Sequence, residues 1–581
     1  MGAKVRSGVR STALKEKGKL DWSRDLLPLD EGPGASAVKS PDAARLRRSF
    51  LRIPPFPGAV PQSFAQLSWM TDIQADLADL VRTLRVGGTY WGAQPKLPSG
   101  HVLVRTAAAA RAVSARFEGG INVLWTDEPA RESASNWTAV LHGDCDPWHV
   151  LSSASAVVVE ANDELRVIAA LLGVPRFIYR PGEEQLEACA TEAGWLLVQA
   201  LSATTFRNPF TGDPMSIRDA IELCGFWREL IDSNRALAGG IGFAFWKHKH
   251  VAPLLWGGSN AFKFLRSARE VERGAELAVW QAKVRPAAIA QLKRNRVNLI
   301  EVEDGFLRSQ GLGADCIPPL SITVDRLGAH FDPSQESELE RLLQSGSFDA
   351  HLLARAAELR RAIVHEGIGK YERGTVQLER PTAHRRVILV PGQVEDDRAV
   401  QSGGCGLVSN LELLRRVREQ APDAYILYKP HPDVVAGHRR GAIPERVCLH
   451  QADEVMAGNA IASVIAMVDE VHVNTSLAGF EALLRGKPVT TYGVPFYAGW
   501  GLTRDLGPVP ERRSAIRSVD ELVAAALLLY PRYLDPLTGL PCPAEIVVQR
   551  LTTEVVAPSG MFVGMRRVQG RLMRRLRDLV Q

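Results

Sequence analysis

The sequence predicts an α/β protein built from parallel sheets. Three times between Val387 and Trp500, a short β-branched or aromatic run ends at a cluster of polar residues and is followed by a helix-type segment. This succession is typical of βα units in a parallel sheet. The 581 residues also exceed what one hydrophobic core accommodates, so about two to four domains are expected.

The composition favours a globular protein rather than a membrane-spanning or nucleic-acid-binding one. Hydrophobic residues make up 46% of the chain, charged residues 23%, and the net charge is only +5. The chain contains no apolar run near the ~20 residues that a membrane helix needs, and its basic N-terminus lacks the apolar core of a secretory signal. Seven cysteines without CxxC pairs favour reduced thiols in the cytoplasm over a disulfide framework or a zinc site.

Residues 1–60 are basic and then rich in proline and glycine, and this composition predicts a disordered arm. Residues 61–238 follow, with a predicted helix at Ile73–Val81 and predicted strands at Asn122–Trp125 and Val157–Val159. They are interpreted as a degenerate, partial copy of the later part of the chain. Two short matches, in the same order, suggest the copy: Ala170–Pro175 resembles Ala482–Pro488, and Asn208–Pro214 resembles Asp535–Pro541. Chance recurrence of Pro/Gly turns is the alternative.

Residues 239–380 predict a first complete α/β domain. Gly239–Gly242 is interpreted as a linker, Phe243–Trp246, Glu276–Trp280 and Val297–Val302 as strands, and Arg285–Asn295 as a helix. A helical stretch, Glu336–Arg380, is expected to lead into a second α/β domain. That domain is expected to span 381–555 and to end in helices at Asp520–Leu529 and Ala544–Leu551.

Residues 556–581 have a different character. Met561, Met565, Val568, Leu572, Leu576 and Leu579 are spaced along one helical face, and six arginines cover the rest. A basic amphipathic helix of this kind suits an anionic membrane surface. A terminal helix docked on its own protein is the alternative.

The polar clusters after the three strand-like runs indicate one binding site. They are Gln393 to Asp397, Lys429 to Asp433, and Asn474 to Glu481. Ligands of parallel α/β sheets bind at the carboxyl ends of the strands, so these clusters should converge. Lys429 and His431, in a loop stiffened by prolines, can neutralise a phosphate, and Thr475 and Ser476 at a helix start can bind one. The alternatives are a solvated loop histidine and plain helix capping.

Four carboxylates are candidates for chemistry. Glu303 and Asp304 end a strand of the first domain, and Asp396 and Asp397 follow a strand of the second. Neighbours on a strand point to opposite faces, so one of each pair can face the cleft while the other caps or pairs, for example Asp304 with Arg308. One carboxylate from each domain suits covalent glycosyl transfer with acid/base help. Structural pairing with arginines is the alternative, and the pattern does not choose among the four.

A weaker motif lies in the copy region. Asp144-Cys-Asp146 has the Asp-x-Asp form that some metal-dependent glycosyltransferases use. A metal-binding role there is a minor hypothesis.

Together these motifs resemble the bacterial capsule β-Kdo transferases, where Kdo is 3-deoxy-D-manno-oct-2-ulosonic acid. The resemblance covers about residues 240–550 in the order and spacing of the family. It is carried by the following segments: Glu303–Ser309, Pro319–Ser321 with Asp325, Lys370-Tyr371, Pro391–Asp397, Tyr428–Val434, Thr475–Pro488 and Tyr492–Thr503.

The resemblance implies a GT-B-like module of two Rossmann-type domains, an acceptor-side domain at 239–380 and a CMP-sugar-binding domain at 381–555. It implies a retaining double displacement in which Asp397 is the nucleophile and Glu303 assists proton transfer with the acceptor hydroxyl. His431 with its loop and Ser476 would hold the CMP phosphate, and Glu481 would lie near the nucleotide. The remaining implied donor-site residues are Gln393, Lys429, Pro432 and Thr475, with Asp304, Arg308 and Asp396 in support.

The resemblance also implies the reactants and the place of action. CMP-Kdo is the donor, a lipid-linked acidic saccharide is the acceptor, and the protein acts at the inner face of the inner membrane without a metal ion or cofactor. The basic stretch Lys247–His250 is a further candidate for holding acidic acceptor sugars, with a solvated turn as the alternative. Only one module is complete, and 61–238 would be the remnant of another. Transfer of another CMP-activated acidic sugar, or a non-catalytic scaffold role in polysaccharide assembly and export, are the alternative functions.

Overall fold

The computed structural model describes residues 50–62, 64, 75–126, 137–201, 206–309, 317–370, 373–374, 376–381, 385–437 and 439–553. The amphipathic segment predicted at 556–581 and most of the predicted arm at 1–60 lie outside the described residues.

The N-terminal region forms an α/β layer of its own. Its strands are β1 (His101–Val104), β2 (Asn122–Trp125), β3 (Ala139–Leu141), β4 (Ala154–Val159), β5 (Arg176–Ile178) and β6 (Glu187–Ala188), with a separate pair, β7 (Phe206–Arg207) and β8 (Pro214–Met215). The sheet order is β3-β2-β1-β4-β5-β6, and only β6 runs antiparallel. The helices are α1 (Ala75–Leu84), α2 (Ala110–Arg116), α3 (Pro147–Ser152), α4 (Leu165–Leu172), α5 (Ala193–Leu201) and α6 (Ile217–Asn234).

Part of the predicted disordered arm is packed. Phe50, Leu51 and Phe56 are buried in the hydrophobic core, where the Phe56 ring contacts Trp227 and Trp256. The prediction was therefore wrong for residues 50–60. Their Pro/Gly content suits an irregular but ordered segment whose aromatic side chains are buried by a neighbouring domain.

The acceptor-side domain begins earlier than predicted. Its strands are β9 (Leu237–Ile241), β10 (Phe264–Leu265), β11 (Glu276–Val279), β12 (Asn298–Asp304) and β13 (Ser321–Asp325). The predicted linker at Gly239–Gly242 is thus mostly strand, and the predicted strand at Phe243–Trp246 is the loop and 3₁₀ turn that follow it. Glycine is needed in β9 because a Cβ on Gly240 would meet Phe243 and Phe262 within 3.0 Å. The helices are α7 (His248–Val251), α8 (Pro286–Arg294), α9 (Glu338–Ser345) and α10 (Ala350–His365).

The second domain has an entirely parallel sheet. Its strands are β14 (Val387–Pro391), β15 (Tyr425–Lys429), β16 (Glu454–Val455), β17 (Glu470–Val473), β18 (Val489–Thr491) and β19 (Arg504–Asp505), in the order β16-β15-β14-β17-β18-β19. Every residue of β14 is buried, as expected for a strand covered by helices on both faces. The helices are α11 (Arg398–Gly403), α12 (Asn410–Gln420), α13 (Pro432–Val435), α14 (Glu445–Cys448), α15 (Ile461–Met467) and α16 (Leu477–Leu484).

The chain then returns to the acceptor-side domain. Helix α17 (Val519–Val523) continues as a π-helical stretch, Ala524–Leu529, and β20 (Pro531–Leu534) pairs antiparallel with β13. Strand β21 (Pro541–Cys542) and helix α18 (Ala544–Thr552) follow. The predicted second domain, 381–555, therefore includes two strands, β20 and β21, that in the structure complete the sheet of the first domain. The predicted fold class, an α/β protein with a GT-B-like module of two Rossmann-type domains, is confirmed.

The N-terminal sheet has the same strand order as the second domain. The match Ala170–Pro175 connects α4 to β5, and Ala482–Pro488 connects α16 to β18, which are equivalent places in the two sheets. Likewise, Asn208–Pro214 joins β7 to β8 before α6, and Asp535–Pro541 joins β20 to β21 before α18. The two matches thus lie at equivalent positions of the second domain and of its C-terminal return, and the duplication itself stays a prediction.

Candidate active site

A cleft of about 740 Å³ lies between the acceptor-side domain and the second domain. It is bounded by the carboxyl ends of β12, β14, β15 and β17 and by the start of α16. Every residue predicted for the site lines this cleft except Asp396. The convergence follows from topology, because parallel strands end at the same edge of their sheet.

The loop after β14 presents Asp397 to the cleft. Asp397 is the N-cap of α11, and its Oδ1 accepts the Ala399 N–H at 3.0 Å, which fixes the carboxylate at the helix start. Asp396 points outward and is paired with Arg439 at 3.3 Å. The side chain of Gln393 joins this loop to the next site segment: its Nε2 donates to Thr475 Oγ1 at 2.9 Å and its Oε1 accepts from Thr475 N at 3.1 Å.

The loop after β15 contributes a neutral histidine. His431 Nδ1 accepts the Asp433 N–H at 3.1 Å as the N-cap of α13, so the ring proton of the neutral form lies on Nε2. Burial, reinforced by the charge of Lys370, lowers the pKa of His431 to about 4. At neutral pH the ring is therefore an uncharged donor. Lys429, buried at the end of β15, supplies positive charge beside it, and Pro432 opens the short helix.

The start of α16 forms the third wall. Ser476 is its N-cap, and Oγ accepts the Ala478 N–H at 3.2 Å. The alternative that Ser476 caps the helix is therefore confirmed. A capping hydroxyl still has its own proton to donate to an anion at the helix start. Glu481 is buried one turn later and accepts the Lys370 N–H at 3.1 Å.

Gly479 has a structural role in α16. A Cβ there would meet the Tyr497 hydroxyl at 2.3 Å. The glycine therefore lets Tyr497 pack against α16, where its hydroxyl donates to the carbonyl of Ser476.

The two carboxylates at the end of β12 have different partners. Asp304 accepts from Arg308 at 2.8 Å and from Lys247 at 3.1 Å. Burial acts to raise the pKa of Asp304, but Arg308 and Lys247 outweigh it and hold it far below its usual range. Asp304 is thus a fixed anion, and it is the member of the pair that Arg308 binds.

Glu303 is the titratable member of the pair. Burial, with Glu301 and Asp304 nearby, raises its pKa to about 8 even though Arg398 opposes the rise. A carboxyl group that exchanges a proton near neutral pH is suited to general acid/base work.

Comparisons with known proteins point to capsule polysaccharide proteins. Residues 277–373 and 350–533 match the family model described as capsule polysaccharide biosynthesis protein. Capsule polysaccharide modification protein LipA of Neisseria meningitidis serogroup A / serotype 4A (strain DSM 15465 / Z2491) is 39% identical over 356 residues, which are 60% of this chain and 50% of LipA. Lipopolysaccharide-processing protein LpsZ of Rhizobium meliloti is 42% identical over 265 residues, 45% of this chain and 60% of LpsZ.

Two solved structures cover the module itself. Thermosulfurimonas dismutans KpsC, beta Kdo 2,7 transferase, is 36% identical over 54% of this chain and 98% of that chain, with a TM-score of 0.44. Its beta Kdo 2,4 transferase counterpart is 32% identical over the same shares, with a TM-score of 0.47. The chain belongs to the capsule β-Kdo transferase family. The predicted resemblance is confirmed, although the chain spans only about half the length of its LipA relatives.

Among the residues near the site that sequence reasoning missed, Arg398 is the most prominent. It follows Asp397 directly, reaches from α11 to the acceptor-side domain, and donates to Glu303 Oε1 at 2.7 Å, to Glu301, and to Gln281 Oε1 at 2.9 Å. No local pattern reveals this contact, because it joins residues about a hundred positions apart and an arginine beside two aspartates suggests only local pairing.

His330 was also missed. Its ring lines the cleft within an aromatic group made of Phe306, Phe331, Phe496 and Tyr530. Burial, with the charge of Lys370, lowers its pKa to about 3, so it is neutral at physiological pH. A lone histidine after a strand carries no distinguishing sequence signal.

Of the basic stretch Lys247–His250, Lys247 lines the cleft. Its Nζ lies 3.3 Å from the centre of the Trp280 ring as well as beside Asp304. His248 instead stacks on Phe264 at 3.8 Å and bonds the carbonyl of Phe243. The predicted acceptor role is therefore restricted by position to Lys247.

The Asp-x-Asp motif is structural. Asp146 is fully buried, caps α3, and is held by Arg228 through bonds of 3.0 and 2.7 Å. Asp144 accepts from Trp91 Nε1 at 3.3 Å. The minor metal hypothesis was wrong for Asp146, whose oxygens are already engaged by an arginine. Among the described residues, no group of three or more metal-ligating side chains is present.

The N-terminal sheet carries different chemistry at the equivalent edge. Arg105 follows β1, lies 4.6 Å over Trp125 and pairs with Asp163 at 3.1 Å. The turn before α4 contains Glu160, Asp163 and Glu164, where the second domain has Thr475 and Ser476. Carboxylates at a helix start repel a phosphate, so this edge does not reproduce the candidate site. In the described part of the chain, no helix has the length and apolarity to cross a bilayer.

Proposed function

We propose that this chain is a retaining β-Kdo glycosyltransferase that moves Kdo from CMP-Kdo to a lipid-linked saccharide in capsule or related surface polysaccharide synthesis. The observation that carries the proposal is the cleft, where Asp397 of one domain and Glu303 of the other meet a set of phosphate-binding donors. The sequence identity of 36% and 32% to the two KpsC transferase structures supports the choice of sugar.

The donor would bind against the second domain. The Nε2–H of His431, the ammonium of Lys429, the Ser476 hydroxyl and the N-terminus of α16 all suit the CMP phosphate. These groups neutralise the charge that collects on the phosphate as it leaves, which is the demand of the first step. CMP is a good leaving group, so this step needs no proton from the protein.

The first step forms a bond between an Asp397 oxygen and the anomeric carbon of Kdo. The bond from that carbon to the CMP phosphate oxygen breaks, and its electron pair leaves with CMP. The anomeric carbon bears a carboxylate and no hydrogen, so it develops cation-like character that a facing carboxylate stabilises and then captures. The helix N-cap position of Asp397 holds its carboxylate in place for this attack.

The second step transfers Kdo to the acceptor. An acceptor hydroxyl attacks the anomeric carbon, Glu303 takes the hydroxyl proton, and the Asp397 carboxylate leaves. Two inversions give net retention. A carboxylate with a pKa of about 8 is a stronger base than an ordinary glutamate, which suits removal of a hydroxyl proton.

The test is the intact mass of the purified protein after incubation with freshly generated CMP-Kdo and no acceptor. The expected result is a gain of one Kdo, located on the peptide that holds Asp397. Asp397→Asn should abolish the adduct. Asp396→Asn is the matched control, because Asp396 is adjacent to Asp397 and shares Arg439 with it but does not itself line the cleft, and this variant should still form the adduct.

Competition with another CMP-activated acidic sugar tests the donor. CMP-Kdo should suppress labelling by CMP-sialic acid, and the reverse preference would reject Kdo as the donor sugar. Absence of any adduct, together with an unextended Kdo-lipid acceptor, would reject the transferase proposal.

A further inference from the structure

Arg398 is the side chain that links the two carboxylate-bearing walls of the cleft. It occupies the first position of α11, next to Asp397, and its guanidinium reaches three side chains of the acceptor-side domain. Nη1 donates to Glu301 and to Glu303 Oε1 (2.7 Å), and Nη2 donates to Gln281 Oε1 at 2.9 Å. The guanidinium carbon also lies 4.9 Å from the centre of the Phe331 ring.

This arrangement restrains the guanidinium on several sides. Two acceptors share Nη1, a third holds Nη2, and an aromatic ring supports one face. The neighbouring Asp397 carboxylate is held separately, by the Ala399 N–H at 3.0 Å. The side chain of Arg398 is 31% exposed, so the contact is accessible to water and can rearrange when substrates bind.

The charges around Glu303 are unbalanced without Arg398. On its own strand Glu303 faces Glu301 and Asp304, and Asp325 lies opposite Glu301 on β13. The charged and titratable groups that face this cluster from outside β12 are Lys247, Arg308, His330, Lys370 and Arg398. Lys247 and Arg308 are engaged by Asp304, which leaves Arg398 as the cation in direct contact with both glutamates.

We infer that Arg398 is a positioning residue that favours the ionised form of Glu303, the base of the transfer step, and sets the Glu303 carboxylate opposite Asp397. This inference rests on the proposed function. Its consequence is that Arg398 acts selectively on the second step, because formation of the Asp397 adduct needs no base. Arg398 donates to Oε1 of Glu303, so the second carboxylate oxygen, Oε2, can still accept the proton of the acceptor hydroxyl.

The two steps are measured separately in the full-length protein. Adduct formation is followed by intact mass after mixing with CMP-Kdo, and transfer is followed as adduct loss after adding a Kdo-lipid acceptor, both between pH 6 and 10. The variants are Arg398→Gln, which removes the charge, and Arg398→Lys, which keeps it. Arg512→Gln is the control, because Arg512 pairs with Glu340 and does not line the cleft.

Arg398→Gln should slow transfer about tenfold at pH 7 and move the rise of the transfer rate upward by about one pH unit, with recovery at high pH. In Arg398→Lys the pH at which the transfer rate rises should stay within a few tenths of a unit of the wild type, because the positive charge is kept. The transfer rate itself should fall, because lysine lacks the planar guanidinium that binds several acceptors at once. Adduct formation should change less than about threefold in both, and Arg512→Gln should match the wild type in both steps.

An unchanged pH profile of the transfer rate in Arg398→Gln would overturn the inference. An equal fall in the rates of adduct formation and transfer at every pH would also overturn it, because a residue that only stabilises the local structure gives that result. If Arg398→Gln melts well below the wild type, Arg398→Lys decides instead: a transfer rate that falls more than adduct formation, with the pH rise kept, supports the inference, and an equal loss of both steps overturns it. Failure of the wild type to form an adduct counts against the proposed function itself. A wild-type adduct with an unmoved profile counts against the Arg398 inference alone.

Discussion

The proton-accepting role of Glu303 gives a prediction with a definite magnitude. With a pKa of about 8, the carboxylate is roughly one-eleventh ionised at pH 7 and roughly ten-elevenths ionised at pH 9. The rate of Kdo transfer from the adduct to an acceptor should therefore rise about tenfold between these values and level off above them. The sign follows from the role: a base acts in its ionised form, so raising the pH activates it.

Substitution of Glu303 tests the same reasoning. Glu303→Gln should lose roughly 10²- to 10⁴-fold of the transfer rate and all of the rise near pH 8, while the Asp397 adduct still forms. Glu301→Gln should instead move the rise to lower pH, because Glu301 raises the pKa of Glu303 and competes for Arg398. The assay is adduct isolation, mixing with Kdo-lipid acceptor, rapid quench and intact mass. A rise near pH 8 that persists in Glu303→Gln would refute Glu303 as the base.

Three further outcomes are expected. Asp146→Asn should lower the free energy of unfolding in urea by about 2–4 kcal/mol, because Arg228 stays buried with fewer partners. A parallel loss of activity and of bound metal in this variant would instead favour the metal hypothesis. Gly479→Ala should cost about 1–3 kcal/mol through its clash with Tyr497 and be partly relieved by adding Tyr497→Phe, whereas an unchanged melting temperature contradicts the clash. The KM for CMP-Kdo should be flat between pH 6 and 8, since His431 with a pKa of about 4 is neutral throughout; a marked rise over this range would indicate a charged histidine.

The positions at strand ends were predictable from the sequence for a physical reason. Apolar runs such as β14 and β15 are short, continuous and bounded by polar residues, and a parallel sheet brings their carboxyl ends together. That is enough to bring Asp397, His431 and Ser476 to one cleft. The choice of Asp397 over Asp396 depended on the family resemblance, and the structure adds that only Asp397 of the two lines the cleft.

The features that were not predicted depend on contacts between distant segments. Arg398 has a long side chain whose direction no local periodicity encodes, and its partners lie on another domain. Gly239–Gly242 was interpreted as a linker because glycine weakens a strand, yet β9 uses glycine to admit Phe243 and Phe262. The return of β20 to β13 pairs segments about two hundred residues apart, which composition cannot reveal.

The N-terminal sheet shares the strand order of the second domain but carries different residues at the equivalent edge. Strand order depends on many buried apolar positions, whereas a phosphate site depends on a few loop residues, and this edge carries Arg105, Asp163 and Glu164. The contacts of the N-terminal region with the rest of the protein give it a packing role.

That packing role reaches the candidate base. Trp227 donates to the carbonyl of Pro541 at 2.9 Å, Arg550 donates to the carbonyl of Phe210 at 2.6 Å, and Arg532 donates to Asn234 at 2.7 Å. These bonds hold β20, β21 and α18, and β20 pairs with β13, which pairs with β12. Because β12 ends in Glu303 and Asp304, the N-terminal region stabilises the sheet edge on which one wall of the cleft is built.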